Sequence, residues 1–118
     1  MKMTPAEIHH VATVEGCAKG KAVHVEPMVV VGFGGGVVED GICGMAYVKI
    51  VATTPEGRAL VKYLKAEGTG FKSSMGTGWM VPCHLYNQSF TRKRAWCDGY
   101  AAVLRNNNVV AHIEEWIN

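Results

Sequence analysis

From Ile42 to Ala52 the chain reads Ile-Cys-Gly-Met-Ala-Tyr-Val-Lys-Ile-Val-Ala, apolar on both alternating sets and broken only by Lys49. That pattern suits a central strand covered on both faces, or one buried on one face and touching a partner on the other. Thr54-Pro55-Glu56 follows at once and supplies an N-cap, a proline at the first helical position and an early carboxylate. The spacing predicts a helix to about Glu67, with Gly68 taking the left-handed conformation that ends it. Gly57 in its first turn costs roughly 1 kcal/mol relative to alanine, so this helix depends on its packing. Ala59, Leu60, Tyr63 and Leu64 share one face of it, while Arg58, Lys62 and Lys65 line another at i, i+4, i+7.

Two short runs, Gly70 to Met75 and Trp79 to Leu85, surround Gly76-Thr77-Gly78 and read as a hairpin. Pro82 cannot donate a ladder hydrogen bond, so its strand is expected at an edge or with a bulge there. A second helix opens at Gln88 or Ser89 and ends at Asn106-Asn107-Asn108, residues that tolerate left-handed geometry. Phe90, Cys97, Ala101 and Leu104 form its apolar stripe, with Tyr100 beside them. Ala95, Gly99 and Ala102 form a ridge of small residues, read either as plain exposed surface or as a close approach to another helix, across a dimer axis for instance. Val109 to Ile117 alternates as a final strand. The order strand, helix, strand, strand, helix, strand implies an α+β domain of ferredoxin-like type (βαββαβ), an antiparallel sheet with both helices on one face.

The 118 residues suffice for a single domain, 1–118, with an N-terminal arm at 1–36 and the α+β core at 37–118. Thr4-Pro5-Ala6-Glu7 is a capping box, which favours a short helix or turn. The Val, His and Thr content of 8–14 and 22–31 favours strand instead, and a strand is expected at 21–31. Gly32-Phe33-Gly34-Gly35-Gly36 is expected to hinge an arm that packs on its own sheet or on a neighbour's. No unbroken apolar run, Met28 to Val31 included, exceeds five residues, far short of the ~20 a membrane span needs. The first residues lack the apolar stretch of a secretion signal. Cys17, Cys43, Cys83 and Cys97 contain no Cys-x-x-Cys pair. They are expected to be structural thiols in a reducing, cytoplasmic setting.

Few patterns here spell chemistry. Gly32-Phe33-Gly34 is followed by Val37-Val38-Glu39-Asp40, where a dinucleotide site needs a helix N-terminus and no carboxylates. Lys72-Ser73 lacks the glycine spacing of a phosphate loop. His9, His10, His24, His84 and His112 are scattered or adjacent, so no metal and no cofactor is expected. No nucleophile elbow is visible, and neither Glu39-Asp40 nor Glu114-Glu115 can aim both carboxylates at one bond. A catalytic residue is therefore not assigned, and the chain is read as non-enzymatic.

The most suggestive segment is Tyr86-Asn87-Gln88-Ser89-Phe90-Thr91-Arg92-Lys93-Arg94. Three cations in the first turns of a helix oppose its macrodipole, which favours anions there. Asn87, Gln88 and Ser89 with those cations would suit a phosphate or carboxylate, against the plainer reading of a solvated basic face. Residues 41–105 hold nine Lys and Arg against three acids, a net +6, while the two flanks are net negative. Such a layout binds an anion or pairs arm to body in a homo-oligomer. No helix-turn-helix, zinc-finger or RNP signature is present. The candidate ligand-binding residues are Asn87, Gln88, Ser89, Arg92, Lys93 and Arg94, with Lys72 and Trp79 as further contacts.

Gly41-Ile42-Cys43-Gly44-Met45-Ala46-Tyr47-Val48, followed by Tyr86-Asn87-Gln88-Ser89 and Thr91-Arg92-Lys93, resembles short uncharacterised proteins of phage and bacterial origin over residues 41–118. The resemblance implies a small accessory protein of a mobile element, one that binds rather than catalyses. The expected function is binding of a phosphate-bearing ligand, a nucleotide or nucleic acid. The alternative is a protein–protein or homo-oligomeric structural module, in which the basic helix docks on an acidic partner or a second copy's arm.

Overall fold

The structure, a computed structural model, describes residues 3–22, 28–30, 36–38, 44–73, 78–83 and 90–117. In chain order it contains helix α1 (Pro5–Ala22), strands β1 (Met28–Val30), β2 (Gly36–Val38) and β3 (Gly44–Val51), helix α2 (Pro55–Glu67), strands β4 (Phe71–Lys72) and β5 (Trp79–Pro82), helix α3 (Phe90–Asn106) and strand β6 (Val110–Ile117). It is an α+β fold. Among the described residues no helix is long and apolar enough to cross a membrane.

The main sheet is antiparallel with strand order β4-β5-β3-β6. β3 is central, as its two apolar faces require. It pairs with β6 from Gly44↔Ile117 to Val51↔Val110, and with β5 from Tyr47↔Pro82 to Ile50↔Trp79. Ala46, Val48 and Ile50 share one buried cluster with Leu60 and Leu64 of α2 and with Cys97, Tyr100, Ala101 and Leu104 of α3, so both helices lie on that face. Tyr47 and Lys49 point to the other, where the Tyr47 and Phe71 rings meet edge-on at 5.7 Å and Lys49 pairs with Glu114 at 3.9 Å. β5 is not an edge strand. Pro82 is accommodated because β4 reaches only Met80 and Trp79, so no ladder partner is described beside its missing N–H.

The caps of α2 follow from its sequence. Thr54 Oγ1 accepts a hydrogen bond from the Gly57 N–H at 3.0 Å, and Gly68 closes the helix at φ 73°, its N–H donating to the carbonyls of Leu64 and Lys65. Thr54 also donates its hydroxyl proton to the Asn108 carbonyl at 2.7 Å, which ties the start of α2 to the turn after α3.

The N-terminal segment departs from the sequence reading. The capping box is present, with Thr4 N–H donating to Glu7 Oε1 at 3.0 Å and Glu7 N–H to Thr4 Oγ1 at 3.2 Å. The helix it starts runs to Ala22 rather than stopping within a turn or two, so Lys21 and Ala22 of the expected strand are helical, while Met28–Val30 of it are strand. The expected hinge falls mostly outside the described residues, and Gly36 opens β2, which pairs antiparallel with β1. α1 buries Ile8, Ala12, Gly16 and Gly20, one residue per turn, against α3. The contact is a backbone-close one: a Cβ on Gly16 would stand 2.9 Å from the Trp96 carbonyl oxygen, and one on Gly99 would stand 2.8 Å from that of Glu15. Gly99 thus has its close helix partner within its own chain, while Ala95 is half-buried and Ala102 exposed. His9 joins the same interface, its Nδ1 2.8 Å from the Tyr100 hydroxyl.

Candidate functional site

The β4–β5 hairpin places two groups, Lys72 and Trp79, beside α2 and next to Ile50 of β3. Trp79 pairs in register with Lys72 on one side and Ile50 on the other, so all three side chains project to the helix-bearing face. The Trp79 indole N–H donates to the Thr69 carbonyl at 2.8 Å, which fixes the plane of the ring. Gly70 makes this closure feasible at φ 85°, because a Cβ there would collide with the Met80 carbonyl and stand 2.6 Å from the indole nitrogen. Lys65, from the last turn of α2, holds its ammonium 5.4 Å from the centroid of the same ring. A cation over an indole face is worth about 0.5–1 kcal/mol at an exposed site, enough to bias where Lys65 rests.

Lys65, Lys72 and Trp79 line a groove of about 450 Å³ together with the half-buried Val51 and Val61, above the buried Ile50. A shallower depression of about 310 Å³ shares Ala52, Val61 and Lys65 with it and adds Arg58 and Lys62. No carboxylate is among the described lining residues of either. The arrangement is an apolar trough under a line of exposed positive charge. Its charge suits an anion.

The sequence candidates divide. Lys72 and Trp79 come together in the groove. Asn87, Gln88 and Ser89 lie outside the described residues. Lys93 is 6% exposed, and its ammonium is 3.3 Å from the Met45 sulfur, so it faces the interior. Arg94 pairs with Asp98 at 3.4 Å, one turn along α3, and with Glu115 of β6. Arg92 is half-buried. The charge of Arg94 is therefore answered by the protein's own carboxylates. Arg58, Lys62 and Lys65 were not among the site candidates; their i, i+4, i+7 spacing, visible in the sequence, was the available signal.

Three titratable groups away from the groove are shifted by burial. Burial pushes the Cys97 thiol far above its usual range, with the neighbouring Cys83 adding to the effect, and burial raises the Tyr100 hydroxyl as well. Burial also lowers His9, partly countered by the charge of Glu67. Among the described residues no three His, Cys, Asp or Glu converge on a point that would hold a metal ion.

No protein-family model, no curated protein and no solved structure matches the chain.

Proposed function

We propose that this chain is a non-enzymatic binding module for a phosphate-bearing ligand, a nucleotide or nucleic acid, held in the groove between α2 and the β4–β5 hairpin. The observation that carries the reading is the convergence of Lys65, Lys72 and Trp79 on a groove with apolar residues and no described carboxylate in its lining. Lys65 and Lys72 would grip phosphate oxygens as point charges, with Lys65 held near its working position by the Trp79 ring. Arg92 and the Asn87-Gln88-Ser89 segment are the rival location for the anion.

The scaffold fits a ferredoxin-like unit. β3 and β4 flank β5 and run antiparallel to it, which is the split βαβ pattern, and β6 returns beside β3. Cys17, Cys83 and Cys97 as thiols agree with a reducing compartment such as the cytoplasm.

Isothermal titration with ATP at low salt tests the reading. Binding by the parent chain, lost in a Lys65→Gln/Lys72→Gln variant of unchanged thermal stability, is expected. A parent that takes up neither ATP nor a short oligothymidylate, or a double variant that binds as well as the parent, overturns it.

A homo-oligomeric or protein–protein role draws on a separate observation. Among the described residues β6 pairs only with β3, so eight residues of edge strand lie open, with the Arg105 guanidinium capping the Ala111 carbonyl at 2.9 and 3.1 Å. Light scattering of the full chain against an Ile113→Pro variant, whose lost N–H lies on the open side with the Ala111 carbonyl, distinguishes a dimer formed along that edge.

A further inference from the structure

We infer that the ligand of this groove is a single-stranded nucleic acid, its successive phosphates following Arg58, Lys62, Lys65 and Lys72, rather than a free mononucleotide. The inference rests on the phosphate-binding reading above and names its ligand. Three observations carry it.

First, the anion-binding surface is long. The two depressions share Ala52, Val61 and Lys65, so they form one continuous trough. Arg58, Lys62 and Lys65 mark it along α2 in steps of about 6 and 4.5 Å, some 10 Å in all. Lys72 then continues the line across the Trp79 ring onto the hairpin. One phosphate group cannot engage cations spread over that length, whereas a polymer with a charge on every unit can.

Second, the trough is amphipathic. Its cations stand beside the half-buried Val51 and Val61, with the Trp79 ring at one end. A single strand presents phosphates along one side and unstacked bases along the other, and matches that division. A polyglutamate or an inorganic polyphosphate has no apolar ring or side chain to place there. A duplex keeps its bases paired and cannot offer their faces.

Third, repulsion is lacking where it would matter. The described lining of both depressions contains four cations and no carboxylate. The acids of α2 lie elsewhere: Glu56 accepts a hydrogen bond from Asn108 at 3.0 Å, and Glu67 sits within electrostatic reach of His9.

Fluorescence anisotropy with a short labelled oligothymidylate, titrated over a range of salt, tests the inference. Four neutralised phosphates on a single strand give a log–log salt slope of about −2.8, hence about 50-fold weaker binding for a fourfold rise in salt. The Arg58→Gln/Lys62→Gln variant halves the slope to about −1.4, about sevenfold over the same rise. Unlabelled ATP, polyglutamate and a duplex of equal length are added as competitors, and each is expected to displace the strand only in large excess.

Competition by ATP, polyglutamate or duplex as effective as that by unlabelled oligothymidylate overturns the single-strand inference, as does a slope that Arg58→Gln/Lys62→Gln leaves unchanged. In those cases calorimetric ATP binding that depends on Lys65 and Lys72 would still support the broader reading. If neither ATP nor oligothymidylate binds, both fall together.

Discussion

Replacing Gly99 with alanine is a perturbation whose sign the structure fixes. On an open helix face the change would stabilise the protein by about 1 kcal/mol, because alanine is the better helix former. Gly99 does not face the open. Its new methyl group would stand 2.8 Å from the Glu15 carbonyl oxygen and 2.9 Å from Lys19 Cγ. Lys19 is a surface side chain that can swing aside, but the Glu15 carbonyl belongs to the α1 backbone and yields only if the helix moves. Overpacking of this kind costs about 1–3 kcal/mol, so after the helix-forming gain the variant should lose up to about 2 kcal/mol. For a chain of 118 residues each kcal/mol moves the melting midpoint by about 4 °C, so a fall of up to about 8 °C is expected. Circular-dichroism melting reads it, with Ala102→Gly at an exposed position of α3 giving the helix-forming contribution alone. A midpoint that rises by about 4 °C in Gly99→Ala would refute the seating of α1 on α3.

Three further outcomes follow from particular contacts. His9 is held below the ordinary imidazole value of 6.5 by burial, so the unfolded chain takes up that proton first as the pH falls. The contribution of neutral His9 is therefore complete above about pH 6.5 and declines below it. Urea midpoints should drop through that window and do so less in His9→Gln; identical profiles would count against the buried His9–Tyr100 contact. Arg94→Ala should cost about 1 kcal/mol in chemical denaturation, since it strips Glu115 and Asp98 of their partner at a partly exposed site, and no loss would show those pairs to be idle. Gly68→Ala should cost about 1–2 kcal/mol from backbone strain alone, because φ is 73° and nothing lies within 4 Å of the added Cβ. An unchanged melting curve would contradict the left-handed cap.

The parts of the fold that could be read from the sequence are those governed by local rules. Thr54, Pro55 and Gly68 bound α2 because capping acts within a turn, and the stripe of Cys97, Tyr100, Ala101 and Leu104 is buried where helical spacing places it. α1 was obscured by the inversion of its own pattern. Its buried stripe includes Ala12, Gly16 and Gly20, while Val11 and Val14 are 39% and 55% exposed. A reading by apolar spacing looks for large residues inside, and here small ones are inside because two helix backbones meet. The site was half legible for a related reason. Lys72 and Trp79 are aligned by strand register, and Lys65 reaches them only through the packing of α2 on the sheet. Local charge also made Arg94 conspicuous. Its neutralising Glu115 lies in β6, paired with Ala46 in the sheet, and nothing near Arg94 in the chain announces it.

Amide and indole chemical shifts of the full chain, recorded by two-dimensional NMR during titration with pyrophosphate, test the placement of the anion most directly. Saturating shifts should gather on residues 50–53, 58–65, 72 and 78–79 and on the Trp79 indole N–H, whose signal is assigned with Trp79→Phe. Shifts confined to 87–94 with an unmoved Trp79 indole, or no saturable shift at all, would contradict the groove.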